Sequence, residues 1–210
     1  MRSRLVEPFE DRLLVDGIRL LLPQLFHLAE VESSKAGRVG IQVGSLREQT
    51  IVALLMCKFG EASAETDVAT TEPEADVRLF GQSLSIKTAT GKRLGGAKLM
   101  WTVDADKVRE FRDAYLASAD MLLVHIAWGS TGALHFVPVE AQQRCLEQVG
   151  RASYMKLPRR GTNPRGVEIS REALAGLVQD PLSRCVSVDW VRPRIGYDPY
   201  QRWIGYWRYR

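Results

Sequence analysis

Between Asp76 and Thr88 the chain alternates apolar and polar residues about one glycine: Asp76-Val77-Arg78-Leu79-Phe80, Gly81-Gln82, Ser83-Leu84-Ser85-Ile86-Lys87-Thr88. A period of two with turn residues at its centre is the pattern of a β-hairpin. With Gly81-Gln82 as a two-residue connection, Phe80 opposes Ser83 and the pairing steps outward to set Asp76 opposite Lys87. Val77, Leu79, Leu84 and Ile86 then share one face, and Asp76, Arg78, Ser85 and Lys87 share the other. One face is core, and the other brings an acid and a lysine together.

The remainder of the chain supplies the layers around this hairpin. Apolar residues recur at helical spacing from Pro8 to Val31 (Leu13, Leu14, Ile18, Leu21, Leu22, Leu25, Phe26, Leu28), with Pro23 expected to kink or divide the helix, which serves packing or dimerisation. A loop or short strand over 33–44 leads to a helix from Leu46 to Phe59, started by Ser45 and stopped at Gly60. After the hairpin come a strand at Lys98 to Val103 and a helix capped by Asp104. A second hairpin joins 121–128 to 133–139, followed by helices near 140–149 and 170–179 and a strand at 185–190. No repeat and no Pro/Ser-rich linker divides the 210 residues. The expectation is α/β, one domain over 1–210 with a mixed or mostly antiparallel central sheet flanked by helices: an N-terminal helical region at 1–44, a core at 45–139 and a basic region at 140–210.

Composition excludes several classes of function. The chain is 45% hydrophobic and 26% charged, which rules out disorder, collagen and coiled coil. Its longest apolar run, Ile51 to Cys57, is far short of the roughly twenty residues of a membrane span, and Glu7 precedes any signal-like apolar stretch, so no membrane role and a cytoplasmic location are expected. Cys57, Cys145 and Cys185 are scattered and odd in number, and read as reduced, mostly buried side chains. Residues 151–210 carry twelve Lys plus Arg against five Asp plus Glu, whereas 1–150 carry seventeen against twenty. The basic C-terminal stretch points to an anionic partner, most simply phosphate.

An acid and a lysine on adjacent strands can be a surface salt bridge worth about 0–1 kcal/mol. They are also what metal-assisted phosphodiester hydrolysis requires: a carboxylate for a hard cation, and an ammonium to orient water and stabilise charge on phosphate. Glu48, in the first turn of the 46–59 helix, is the candidate second acid. Ser45-Leu46-Arg47-Glu48 equally fits a capping box, in which Glu48 bonds back to the Ser45 amide. His27, His125 and His135 are isolated and receive no role.

Glu on a helix, Asp at a strand start and Ser-Ile-Lys on the paired strand resemble the active site of PD-(D/E)XK nucleases, specifically type II restriction endonucleases. Glu48, Asp76 twenty-eight residues on and Lys87 eleven further, followed by Thr88-Ala89-Thr90-Gly91-Lys92-Arg93-Leu94-Gly95-Gly96, resemble the ThaI restriction endonuclease family most closely. The resemblance implies a PD-(D/E)XK fold, Mg2+ as cofactor, Asp76 as principal metal ligand, Lys87 as the water-orienting base and Glu48 as the helix-borne acid. The carbonyl of Ile86 would complete the metal shell. Ser85 stands where many members of the superfamily place a second acid, which points to one metal rather than two. Glu74 is a possible auxiliary ligand, ranked below Glu48.

For double-stranded DNA, the loop around Arg159, Arg160, Asn163 and Arg165 is the first choice for reading base edges. Lys92, Arg93 and Lys98 follow the catalytic strand and would lie near the backbone. Arg192 and Arg194 begin a segment that interleaves arginines with Tyr197, Tyr200, Trp203, Tyr206, Trp207 and Tyr209; it is expected to dock on the body and clamp phosphates. Ile41 and Gln42, ahead of the Glu48 helix, could approach the minor groove. The resemblance implies a homodimeric enzyme that cuts a short palindrome, CG-rich and CGCG-like, centrally to blunt ends with 5′-phosphate and 3′-hydroxyl termini. The alternatives are another nuclease on this fold (mismatch, junction or modification-dependent) and a DNA-binding protein without catalysis.

Overall fold

In the computed structural model the described residues are 4–35, 41–69, 74–100, 104–158 and 166–208. The elements are α1 (Glu7–Glu10), α2 (Arg12–Lys35), α3 (Ile41–Phe59), β1 (Ala64–Glu65), β2 (Val77–Leu79), β3 (Gln82–Thr90), β4 (Ala97–Met100), α4 (Ala105–Ala114), β5 (Asp120–Ile126), β6 (Thr131–Val137), α5 (Val139–Tyr154), β7 (Met155–Lys156), β8 (Val167–Ile169), α6 (Arg171–Gln179), β9 (Arg184–Asp189) and α7 (Gln201–Arg208). The main sheet has the order β1-β2-β3-β5-β6-β9 and is mixed: β3 and β5 are parallel and the other pairs antiparallel. A second sheet, β4-β8-β7, was not anticipated from sequence because β7 and β8 are too short to show a period.

The main sheet is buried on both faces, and the two faces carry separate cores. On one side Leu84, Ile86, Leu122, Val124 and Leu134 meet Ile18, Leu22 and Phe26 of α2 and Ile51, Val52 and Leu55 of α3. On the other, Ala89, Met121, Leu123 and Val137 meet α4, α5, α6 and the small sheet through Val108, Leu146, Tyr154, Ile169 and Leu174. The central strands β5 and β6 accordingly read as near-continuous apolar runs. Ser85, on the polar side of the hairpin, is accordingly buried.

The hairpin turn also differs from expectation. The ladder pairs Val77 with Leu84, Arg78 with Ser83 and Leu79 with Gln82, so the two connecting residues are Phe80 and Gly81. Both have positive φ, 52° and 76°, the requirement of the turn that matches strand twist best. Phe80 accepts this strained region while its ring packs at 5.4 Å on Phe59, with the Arg4 guanidinium 4.6 Å above it. The register moves by two residues, and a shift of two preserves which side chains share a face.

Other boundaries moved for local reasons. Helix α2 continues through Pro23, and α3 begins at Ile41, so Ser45 lies inside the helix and cannot cap it. Asp104 caps α4 as expected, accepting from the amides of Asp106 and Lys107 at 2.9 and 3.2 Å. Of the cysteines only Cys145 is buried, and Cys57 and Cys185 are exposed. No described helix is long and apolar enough to cross a membrane.

One strand in from the far edge of the main sheet, β6 passes close against Trp190. A Cβ built on Gly132 would stand 2.1 Å from the His125 carbonyl oxygen and 2.6 Å from Trp190 Nε1. Gly132→Ala is therefore expected to destabilise the fold by about 3 kcal/mol, since backbone and a fully buried indole must both shift. Urea denaturation measures the effect, and a loss below about 0.5 kcal/mol would contradict the close approach.

Candidate active site

Strand β2 runs beside β3 only from Leu79 back to Val77. Ahead of it, the amide of Asp76 donates to the carbonyl of Leu84, the residue that Val77 already faces. Two residues of one strand thus oppose one of the other, the geometry of a bulge, which re-aims the side chain at that point. The Asp76 carboxylate takes over where the ladder stops. Its Oδ2 accepts from the Ile86 amide at 2.6 Å, the Lys87 ammonium at 2.9 Å and the Ser85 hydroxyl at 3.3 Å. Asp76 and Lys87 therefore meet through side-chain reach across a broken ladder, and not as the directly opposed pair expected from sequence.

All three donors fall on Oδ2. Because the N–H and C=O of one residue in a strand point to the same edge, the Ile86 carbonyl also faces the gap beside Asp76. The Ile86 side chain points the other way, into the core.

Glu48 comes to this place from α3. Its core-facing neighbours Ile51, Val52 and Leu55 press α3 on the Leu84 and Ile86 face of the sheet, while Lys87 alternates to the opposite face. Their charges nevertheless interact, and β2 leaves the edge of β3 uncovered beyond Leu84. With Ser45 inside the helix, the capping-box alternative for Glu48 lapses. Partial burial, followed by the charge of Asp76, raises the pKa of Glu48 above the ordinary carboxylate value, and Lys87 partly offsets this. The three side chains thus interact electrostatically: two carboxylates against one ammonium, an arrangement that a divalent cation with oxygen-ligand preference would complete. Among the described residues no group of three or more His, Cys, Asp or Glu is disposed to hold a metal. The oxygens that could hold a hard cation here are those of Asp76, Glu48 and the Ile86 carbonyl.

Several other sequence-predicted residues lie elsewhere. Glu74 turns away from Asp76: its backbone has φ 58°, and its carboxylate accepts from the Tyr115 hydroxyl at 2.5 Å and the Ser118 amide at 2.9 Å. It ties the α4–β5 connection to the main sheet and is not an auxiliary ligand. Lys92 and Arg93 are exposed on the turn after β3, and Lys98 is half-buried on β4. Arg194 and Arg192 are both exposed, and Arg192 leans on the body with its guanidinium 4.4 Å above the Trp128 ring and 3.2 Å from Glu30 Oε2. Of the C-terminal aromatics expected to dock, Tyr197 is half-buried whereas Tyr200, Tyr206 and Trp207 are exposed, and Tyr209 lies outside the described residues. Ile41 and Gln42 fall in the first turn of α3 rather than before it. Arg159, Arg160, Asn163 and Arg165 lie outside the described residues. His125 bonds through Nε2 to the Gly91 carbonyl at 3.0 Å, and His135 is pushed down to about 4 by burial, with His125 beside it.

Sequence reasoning missed one cluster beside the site. Glu30 of α2 accepts from Arg47 at 2.6 Å and from the Trp128 indole at 2.8 Å through Oε1, in addition to Arg192. Nothing local in the sequence signals it, because its members are separated by 17, 98 and 162 positions.

Comparison with known proteins gives two matches. A family model described as "Restriction endonuclease ThaI" matches residues 8–209. A solved structure described as "Restriction endonuclease in complex with substrate DNA" superposes with a TM-score of 0.90 at 48% identity, covering 98% of this chain and 99% of that chain. No curated protein matches.

The raised pKa of Glu48 has a consequence for stability. The folded state binds the Glu48 proton more tightly than the unfolded chain, so this group's contribution falls as pH rises from the ordinary carboxylate value through the raised one. With divalent cations chelated, Glu48→Gln is expected to be more stable than wild type at pH 8 by about 1 kcal/mol or less, given partial exposure. The difference should vanish on acidification below the ordinary carboxylate range. Denaturation at several pH values measures it, and a Gln variant less stable at pH 8 would refute the crowding of charge.

Proposed function

The chain belongs to the ThaI restriction endonuclease family and is a type II site-specific nuclease, and on that premise we propose that Glu48, Asp76 and Lys87 form its active site for magnesium-dependent hydrolysis of double-stranded DNA. The observation that carries this reading is the convergence of Lys87 Nζ and the Ile86 amide on Asp76 Oδ2, with Glu48 electrostatically coupled to both side chains. The family sets aside the alternative of a DNA-binding protein without catalysis.

Asp76 and Glu48, with the Ile86 carbonyl, would hold Mg2+. When bound, the ion supplies charge stabilisation at the phosphate and makes water more acidic. Asp76 does its part by presenting an oxygen fixed by the sheet. Glu48, whose carboxylate holds a proton more readily than a solvated one, would stand beside the attacking water. Lys87, with its side chain 14% exposed, points an ammonium into the same space, where it orients the attacking water and stabilises negative charge on the phosphate. Water adds to phosphorus in line with the leaving 3′-oxygen, the P–O3′ bond breaks and the 3′-oxygen takes up a proton. The ends are a 5′-phosphate and a 3′-hydroxyl. Ser85 at the position of the superfamily's second acid supports one-metal chemistry.

The solved relative is described with substrate DNA, and the basic stretch 151–210 supports the same partner for this chain. Lys92, Arg93, Lys98, Arg192 and Arg194 are the proposed phosphate contacts. Arg159, Arg160, Asn163 and Arg165, with Ile41 and Gln42, are the proposed groove contacts. The target is a short CG-rich palindrome, CGCG-like, cut to blunt ends in the cytoplasm. A palindrome presents two equivalent bonds, which a two-fold homodimer meets with one active site each. Leu13, Leu20, Leu21 and Leu25 stand exposed along α2 and support that helix as the contact between copies.

A plasmid digest tests the reading. Wild type with Mg2+ should give discrete blunt fragments, none forming in chelator, and Asp76→Ala and Lys87→Ala should each cut about 10²–10³-fold more slowly while retaining DNA binding. Cleavage surviving both substitutions would put the active site elsewhere. Sedimentation tests the dimer: Leu20→Glu combined with Leu25→Glu should convert a two-chain species to one chain. An unchanged sedimentation coefficient would exclude α2 as the interface.

A further inference from the structure

Arg47 precedes Glu48 in α3, yet its guanidinium is committed inward. It bonds Glu30 at 2.6 Å with a side chain only 11% exposed, lies 5.8 Å from the Phe26 ring centroid and reaches Thr90 Oγ1 at 3.4 Å. Thr90 closes β3, three residues beyond Lys87. The same Glu30 oxygen takes the indole N–H of Trp128, from the turn after β5, the strand parallel to β3. Glu30 therefore binds the Glu48 turn of α3 to the end of the strand pair that carries Lys87.

By contrast, no described residue donates a hydrogen bond to the Glu48 carboxylate, so its place depends on where the helix backbone is held. The apolar anchors of α3, Ile51, Val52 and Leu55, begin three residues later and fix the helix on the sheet, while Arg47 ties down the turn that carries Glu48 itself. We propose that Glu30 and Arg47 are positioning residues for cleavage, holding Glu48 in register with Asp76 and Lys87; the proposal rests on the reading of those three residues as the active site. A planar guanidinium can bond Glu30 and Thr90 at once through separate nitrogens, which an ammonium on a flexible stem cannot reproduce.

The test uses full-length Arg47→Lys and Thr90→Val under single-turnover conditions across a magnesium titration. Duplex affinity is measured in calcium, and melting temperature alongside. Arg47→Lys should cut about ten- to a hundredfold more slowly and need several-fold more magnesium, because Glu48 is displaced, with duplex affinity within about twofold of wild type. Thr90→Val should shift both quantities in the same direction by less. Glu30→Gln, which keeps an acceptor for Trp128 but loses its charge, should resemble Arg47→Lys.

Wild-type rates in Arg47→Lys would overturn the proposal, as would a loss explained by weakened folding or DNA binding. A slower rate at an unchanged magnesium requirement would also overturn it, since Glu48 would not be the residue displaced. Asp76→Ala and Lys87→Ala run in parallel separate the two levels. If they still cut, the active-site reading has failed; if they are inactive while Arg47→Lys is normal, only the positioning role has.

Discussion

A sheet that stops pairing exposes a row of unsatisfied backbone groups, and here one carboxylate meets that problem and creates the candidate site in doing so. Strand β2 leaves β3 at Asp76, and the Ile86 amide that loses a ladder partner is taken up by Asp76 Oδ2 at 2.6 Å. The same oxygen draws in Lys87 Nζ at 2.9 Å. Fixing the acid to the backbone also fixes the lysine, because both are held to one short segment of one strand. The departing strand leaves this edge open, and across it the charge of Glu48, from a helix on one face of the sheet, interacts with a lysine on the other.

Burial on both faces makes this arrangement rigid. Strands β3, β5 and β6 lie between two independent cores, so neither α2 and α3 on one side nor α4, α5 and α6 on the other can move without disturbing packed aliphatic side chains. The site lies at an edge of that sandwich, where the chain departs from regular pairing. Partial burial there, and after it the charge of Asp76, raises the proton affinity of Glu48, a local cost that binding of a cation would relieve.

Much of the site was legible in the residues themselves. Alternation around Gly81 disclosed the hairpin, and the apolar spacing of Ile51, Val52 and Leu55 disclosed the helix on which Glu48 rides. The pairing was misread by two residues, because nothing local says that Phe80 will accept positive φ. Its support comes from Phe59 and Arg4, distant in sequence. The parity of a strand preserved the sharing of faces, since a shift of two leaves every side chain on its expected face. Glu74 was misjudged for a related reason: its true partners, Tyr115 and Ser118, are about forty positions away. The capping box at Ser45 failed because α3 begins earlier than its composition suggests.

Sequence by itself determined the elements whose cause is local: alternation for β3, helical periodicity for α2 and α3, a capping carboxylate at Asp104, and a basic C-terminal stretch suited to phosphate. It also placed an acid and a lysine on paired strands, since alternation is a property of the backbone. Tertiary structure decided what depends on distant partners. These are the register around Phe80, the bulge that turns Asp76 toward Ile86, the diversion of Glu74, and the meeting of Glu30 with Arg47, Trp128 and Arg192. Each depends on side chains separated by many positions, and contact energies of this kind exist only once the two cores have brought the elements together.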